Sequence, residues 1–332
     1  MGMVILVSHR TSRLHRRSAL LLLVSLVAFG ACDDTTSGVI ARGPAPAPVP
    51  VLAGDHRIAP GELEPQRRVL RFAFAPTRGE KAMREAWGPM MVYLEHVLAT
   101  PVRMVVTDSY AGLIETVVDD GVELALMPPA SYVIAERQRP DLRLAGTMIS
   151  SGRTSYSAFI LVRADDKARD LRDLRGRSIA YVDKNSSSGY LLARAALREA
   201  GLDPDLHFSR TVFAGSHVEA IHLLQTHAVD VAATASGMLQ VAQDVAADQK
   251  LGSLAPLRVL AKTGRVPYDA LVVSGRLPST VFDKIEGAFQ RIHVRNPEVR
   301  NALKKSSTSG WAPADESRYD QLRKVLLDGY RS

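Results

Sequence analysis

From Val69 onward, short apolar runs alternate with longer amphipathic ones, and nothing else in this 332-residue chain limits its fold so tightly. Val69 to Ala75 reads as a strand. Lys81 to Leu98 reads as a helix, because Met83, Trp87, Met91, Leu94 and Leu98 recur at helical spacing and share one face. Val102 to Thr107 is a second strand, and Tyr110 to Val118 a helix capped by Asp108. Leu124 to Met127 is a short strand ending in Pro128-Pro129, followed by a helical stretch to Arg137. Strand-like runs at 142–149 and 158–162 flank a Ser150-Ser151-Gly152 turn. The pattern then restarts with strand 178–182 and a helix to Ala200, where Gly201 offers the left-handed residue that ends a helix. Strands follow at 211–213, 229–233, 258–261 and 270–273, with a helix from Ser216 to Thr226 between the first two and helices from Ser279 to Tyr330. Such alternation predicts an α/β protein with mixed sheets flanked by helices, and the restart near Ala158 predicts two units.

The loop Lys184-Asn185-Ser186-Ser187-Ser188-Gly189-Tyr190 joins a strand to a helix. Small hydroxyl residues and a glycine at a helix start leave backbone N–H groups unpaired at the positive end of the helix dipole. That is a place for an anion, and equally an ordinary N-cap followed by surface serines. In open α/β sheets, ligands collect where strand C-terminal ends meet helix N-termini. Tyr110, the serine loop and His217 fall at such places, and Tyr156 and Asp269 lie near the two expected crossovers between units. Taken alone, each has a plainer alternative. The tyrosines could be half-buried core residues, and Ser216 with Glu219 forms a capping box around His217.

The N-terminal residues read as a secretion signal. Arg10, Arg13, Arg16 and Arg17 precede an apolar stretch, Ala19 to Phe29, too short to span a bilayer as a mature helix. Residues 1–31 are thus expected to be a signal peptide. Phe29-Gly30-Ala31-Cys32 resembles a lipoprotein lipobox, with Phe29 where that pattern prefers leucine. Cys32 is the only cysteine, so the fold has no internal disulfide, and Cys32 is the expected lipidation site. Residues 32–67 then form a Pro/Ala-rich tether, in which 44–50 alternates proline with apolar residues and favours an extended conformation. Asp33 resembles the signal that retains lipoproteins at the inner membrane. Four of the 42 Lys+Arg lie in the leader, which leaves a near balance with the 35 acids. No basic block interleaved with aromatics points to nucleic acid.

Seven stretches, in order, carry a family resemblance. They are Asp108-Ser109-Tyr110-Ala111, Met127-Pro128-Pro129-Ala130-Ser131-Tyr132, Tyr156 leading into Leu161-Val162-Arg163, and the weaker Leu171-Arg172-Asp173-Leu174-Arg175-Gly176. Asn185 to Leu191, Gly215-Ser216-His217 and Pro267-Tyr268-Asp269 complete the set. Over about Leu70 to Leu277 the chain resembles the phosphate/phosphite/phosphonate-binding proteins, the periplasmic substrate-binding components of ABC transporters. The resemblance implies a two-lobed, type II-like periplasmic binding protein with its ligand cleft between the lobes. One lobe would be 68–155 plus 265–332, the other 156–264. It implies ligand contacts at Tyr110, Tyr156, Ser186, Ser187, Ser188, His217 and Asp269, no cofactor and no metal. The expected partners are a small phosphorus oxyanion and a transporter permease, for a monomeric receptor anchored by lipid on the periplasmic side of the membrane. Two departures stand out. Members that bind aminoalkyl phosphonates carry an acid near Ala235-Ser236-Gly237, absent here before Asp244, and a family serine is Ala158 here.

Two other classes of function are weaker. A serine hydrolase would combine the serines with His217 and Asp230 or Asp269, but no G-x-S-x-G elbow is present. His217, His222 and His227 recur every fifth residue, which scatters them around a helix and does not build a metal site. A sensor or scaffold lipoprotein with the same fold remains compatible with the sequence.

Overall fold

The computed structural model describes residues 56–248, 255–293, 299–303 and 305–329. The expected signal peptide, Cys32 and nearly all of the tether lie outside the described residues. In chain order the first elements are β1 (Leu70–Phe74), α1 (Glu80–Leu98), β2 (Val102–Val106), α2 (Tyr110–Val118), β3 (Leu124–Met127), α3 (Pro129–Gln138) and β4 (Arg143–Ile149). A second series follows: β5 (Ser155–Arg163), β6 (Ser178–Tyr181), α4 (Leu192–Glu199), β7 (Arg210–Phe213), α5 (His217–Gln225), β8 (Val231–Ala235), α6 (Met238–Asp248) and β9 (Leu257–Pro267). The chain then forms β10 (Ala270–Val273), α7 (Ser279–Gln290), α8 (Arg300–Leu303), β11 (Gly310–Ala312) and α9 (Asp320–Gly329).

The strands make two mixed sheets. The first has the order β11-β4-β10-β3-β1-β2, with β1 parallel to both β2 and β3 and antiparallel pairs on the β10 side. The second has the order β7-β6-β8-β5-β9, parallel around β6 and antiparallel around β5. The chain is thus a two-lobed α/β protein. Its central strands are nearly continuous apolar runs, broken only by Thr234 in β8, because both faces are covered: every residue of β3, β8 and β10 is buried. One face of the first sheet packs Phe72, Phe74 and Trp87 against Phe289 and Trp311 from the C-terminal segment, with Phe289 and Trp311 edge to face at 4.9 Å. The α1 face read from the sequence, Met83 through Leu98, is the buried one.

Only two connections pass between the sheets in the described residues, from β4 to β5 and from β9 to β10. They run side by side, with Tyr268 N–H donating to Thr154 O at 2.9 Å and Met148 N–H to Asp269 O at 2.9 Å. Several local expectations change. Ser109, not Asp108, caps α2, because its side chain is the one that reaches Gly112 N–H at 2.9 Å. The serine loop is not a plain loop before a helix: Ser187–Leu191 winds into a π turn ahead of α4. β9 is far longer than the run 258–261, and α6 and β11 were not expected. Gly201 has φ +73°, the left-handed conformation expected after α4.

Candidate functional site

Three helical segments begin with a serine cap followed by a chemically distinctive residue: Ser109-Tyr110, Ser186-Ser187 and Ser216-His217. In each, the capping hydroxyl accepts the N–H three residues on, from Gly112, Gly189 or Glu219, at 2.9, 3.1 and 3.1 Å. That bond fixes the first turn and leaves the earlier N–H groups to face outward. Tyr110, Ser187 and His217, the residues just after the caps, all line one cavity of about 90 Å³. A single water needs roughly 10–15 Å³, so the cavity admits a small polyatomic ligand.

Tyr156, Ser186 and Asp269 line the same cavity, so six of the seven expected contacts share it. Ser188 sits behind the wall, its hydroxyl 3.4 Å from the Tyr156 hydroxyl. The π turn aims it there rather than at the opening. All three serines are buried. Ser187 Oγ accepts from Ala130 N–H of α3 at 2.9 Å, a bond that joins the two lobes. Thr77 O accepts from His217 N–H at 3.2 Å and joins them a second time.

The buried tyrosine hydroxyls are poor acids. Burial first, then the Asp269 carboxylate, raises the pKa of both Tyr110 and Tyr156, so both stay protonated and can donate. The Tyr110 hydroxyl lies near Ser186 but makes no hydrogen bond of ordinary geometry among the described residues. A buried donor left open in this way is costly unless a ligand meets it. His217 is not the exposed turn residue that its capping box allowed. It is buried, its Nδ1 lies 2.9 Å from Thr234 Oγ1 on β8, and desolvation lowers its pKa to about 4. It is therefore neutral near pH 7, with one ring nitrogen carrying the proton and the other able to accept. Burial raises the Asp269 pKa to about 6, against the opposing pull of the Arg78 guanidinium.

Sequence reasoning missed several wall residues. Thr77 and Arg78 follow β1, and Ser306 and Ser307 arrive from the C-terminal segment. The first pair obeys the same strand-end rule that singled out Tyr110. The second pair gave no local signal. Phe74, Met83, Trp87, Met148 and Met238 supply apolar surface. Ala235 and Gly237, from the stretch without an acid, also line the cavity, and Asp269 is the only carboxylate that does so among the described residues. A Ser-His-Asp relay is not assembled from the residues considered: His217 Nδ1 faces Thr234, while Asp230 accepts from Ser178 and pairs with Arg163. Among the described residues no group of three or more His, Cys, Asp or Glu could hold a metal ion.

The family model for the periplasmic substrate-binding protein of the phosphonate ABC transporter matches residues 72–319. The chain belongs to this family. As a phosphonate-family binding protein it is the solute-capturing component of an ABC importer, which works with a membrane permease from the periplasmic side. The phosphate-import protein PhnD of Mycolicibacterium smegmatis is 24% identical over 273 residues, covering 77% of this chain and 84% of that protein. The phosphonates-binding periplasmic protein of Escherichia coli is 26% identical over 269 residues, covering 80% and 77%. The fold is also that of PhnD1 from Prochlorococcus marinus, solved in complex with methylphosphonate, at TM-score 0.71 and 15% identity over 80% of this chain and 99% of that one.

Proposed function

We propose that the cavity holds the P–O head group of a small phosphorus oxyanion (phosphate, phosphite or a small phosphonate) for import. The observation that carries this reading is the convergence of three serine-capped helical starts on one cavity. Their dipoles, with the first-turn N–H groups that are not already bonded as that of His217 is to Thr77 O, favour an anion without a full counter-charge. In this reading the N–H groups of Ser187 and Ser188, with the Ser186 and Ser187 hydroxyls, grip the P–O oxygens. Tyr110, Tyr156 and neutral His217 donate from the other sides, with Ser188 orienting Tyr156. Asp269 accepts from a P–OH or, when protonated, donates to a P–O oxygen. Hydrogen bonds to a charged group contribute roughly 1.5–3 kcal/mol each, so a handful support micromolar binding after ordering costs.

The protein acts as a monomer, 68–155 plus 265–332 closing on 156–264, and is held by a lipid on Cys32 at the periplasmic face of the inner membrane after removal of 1–31. The head-group test is calorimetric titration of residues 33–332 with phosphate, phosphite, methylphosphonate and 2-aminoethylphosphonate. Saturable micromolar binding of at least one is expected. Absence of saturable binding by every one of them rejects the reading.

A further inference from the structure

The cavity has two chemically different sides, and the first sheet divides them. Along β1 the side chains alternate: Phe72 and Phe74 pack with the residues of α1, Ala73 and Ala75 with those of α2. Five cavity residues belong to the α1 core, namely Phe74, Met83, Trp87, Leu126 and Met148. The proposed head-group donors belong to the other core. Tyr110 lies in it and Tyr156 packs on it, while the serine loop follows its member Val182 and His217 precedes its member Ala220. A ligand gripped by those donors therefore has its remaining surface available to the α1 side.

Thr77, Ser150 and Ser306 also line the cavity, but their hydroxyl protons are committed within the protein. Thr77 Oγ1 donates to Met83 Sδ at 3.4 Å, Ser150 Oγ to Ser307 O at 2.6 Å and Ser306 Oγ to Leu303 O at 3.1 Å. Arg78 serves the head-group side: its charge acts on Asp269, and Thr77 O beside it accepts from His217 N–H. Methionine is usually a flexible gap-filler. Here both sulfurs are held, Met83 Sδ by Thr77 and Met148 Sδ by Thr308 Oγ1 at 3.3 Å, so the two side chains form a wall of defined size. By volume the cavity admits about six to nine waters, and a P–O head group takes about four of those places, which leaves room for roughly two or three more heavy atoms.

Resting on the phosphorus-oxyanion reading, we infer that Met83 and Met148, with Phe74, Trp87 and Leu126, form an apolar subsite for the ligand's substituent, so that the preferred solutes are short alkylphosphonates with an uncharged chain. Each chain carbon buried there tightens binding by about fourfold. Phosphate and phosphite have no carbon to place on that wall. A hydroxyl or an ammonium in the same position loses its water and gains no partner, because the hydroxyls nearby are committed. Asp269, the one carboxylate lining the cavity among the described residues, serves the head group in this reading.

The test titrates wild type, Met83→Gln and Met148→Gln by calorimetry with methyl-, ethyl-, propyl-, hydroxymethyl- and 2-aminoethylphosphonate. Ethyl- and hydroxymethylphosphonate match in size and differ in one terminal group, as do propyl- and 2-aminoethylphosphonate. In wild type, ethylphosphonate should bind about fourfold tighter than methylphosphonate and at least about tenfold tighter than hydroxymethylphosphonate. Propylphosphonate should exceed 2-aminoethylphosphonate by at least about tenfold. Each Gln variant, close in size but polar, should cut the ethyl-over-hydroxymethyl ratio to about threefold or less and change methylphosphonate affinity by no more than about threefold. Equal or weaker binding of ethyl- than of hydroxymethylphosphonate in wild type overturns the inference. So does an amine that binds more tightly than propylphosphonate, which would assign Asp269 to an ammonium. A ratio unchanged in both variants also overturns it, since the methionines would then not form the wall. In these three cases methylphosphonate still binds wild type, so the head-group reading stands; a wild type that binds no phosphorus oxyanion rejects both. Thermal melting of each ligand-free variant verifies folding, and the wild-type comparisons decide the question if neither variant folds.

Discussion

At the residue scale, two ionisable side chains on the cavity wall oppose one another. Desolvation holds His217 neutral, with a pKa near 4 against 6.5 for the free group. Between those values the unfolded chain binds more protons, so its contribution is present above about pH 6.5 and is lost as the pH falls towards 4. Burial shifts Asp269 the other way, from 3.8 to about 6. Its contribution is complete below about pH 3.8 and is lost as the pH rises through 6. The two slopes largely cancel in the ligand-free protein. Asp269→Asn removes one of them. We expect the variant to be more stable than wild type near neutral pH and to lose stability more steeply on acidification, by roughly 1–3 kcal/mol over the window. Melting curves collected across that window measure it. Parallel profiles for the two proteins would mean that Asp269 titrates normally. The sequence placed His217 at a strand end and Asp269 near an expected crossover between units, but their ionisation was not legible. Desolvation in the folded cavity sets both, with Arg78 opposing it at Asp269, and neither is encoded locally.

At the scale of the element, the serine loop depends on Gly189 for space rather than for unusual backbone angles. A Cβ there would stand 2.6 Å from Val182 Cβ and 2.9 Å from Ser186 Oγ. Gly189 also donates to that hydroxyl and accepts from Val182 N–H at 3.1 Å, so the glycine seals the turn to the end of β6. Gly189→Ala should destabilise the protein by roughly 1–3 kcal/mol and weaken oxyanion binding by more than about tenfold, because the cap and the outward N–H groups move together. Denaturant unfolding and calorimetry read the two effects, and unchanged values in both would show that the turn yields without cost. What the sequence revealed of such elements follows physical range. The helix face of α1 and the buried runs of β3 and β10 depend on local periodicity and were legible. α6 was missed, as was the length of β9, whose partly exposed residues show no clean two-residue alternation. The π turn depends on contacts with Val182 and Ala130 that no local pattern encodes. Ser306 and Ser307 reach the cavity only because the chain folds back after α8 onto the first sheet.

For the whole molecule, the two lobes are joined by a pair of side-by-side connections and by two hydrogen bonds across the cleft, Ala130 N–H to Ser187 Oγ and His217 N–H to Thr77 O. Two short connections permit a hinge, and in the proposed closure of the lobes the cross-cleft bonds would belong to the closed form. Each such bond is worth about 0.5–1.5 kcal/mol net, too little to hold the lobes shut alone and enough to bias their equilibrium. An oxyanion that bonds to both walls adds the differential affinity that completes closure. Ser187→Ala removes one cross-cleft acceptor. In small-angle scattering the ligand-free variant should have a larger radius of gyration than ligand-free wild type, because the lost bond shifts the population towards the open form. Saturating ligand should bring both proteins to the same compact value. Scattering without ligand isolates the lobe-to-lobe bond from any contact that Ser187 makes with the solute. Identical curves for both proteins, with and without ligand, would show lobes that do not move and a cavity filled without closure.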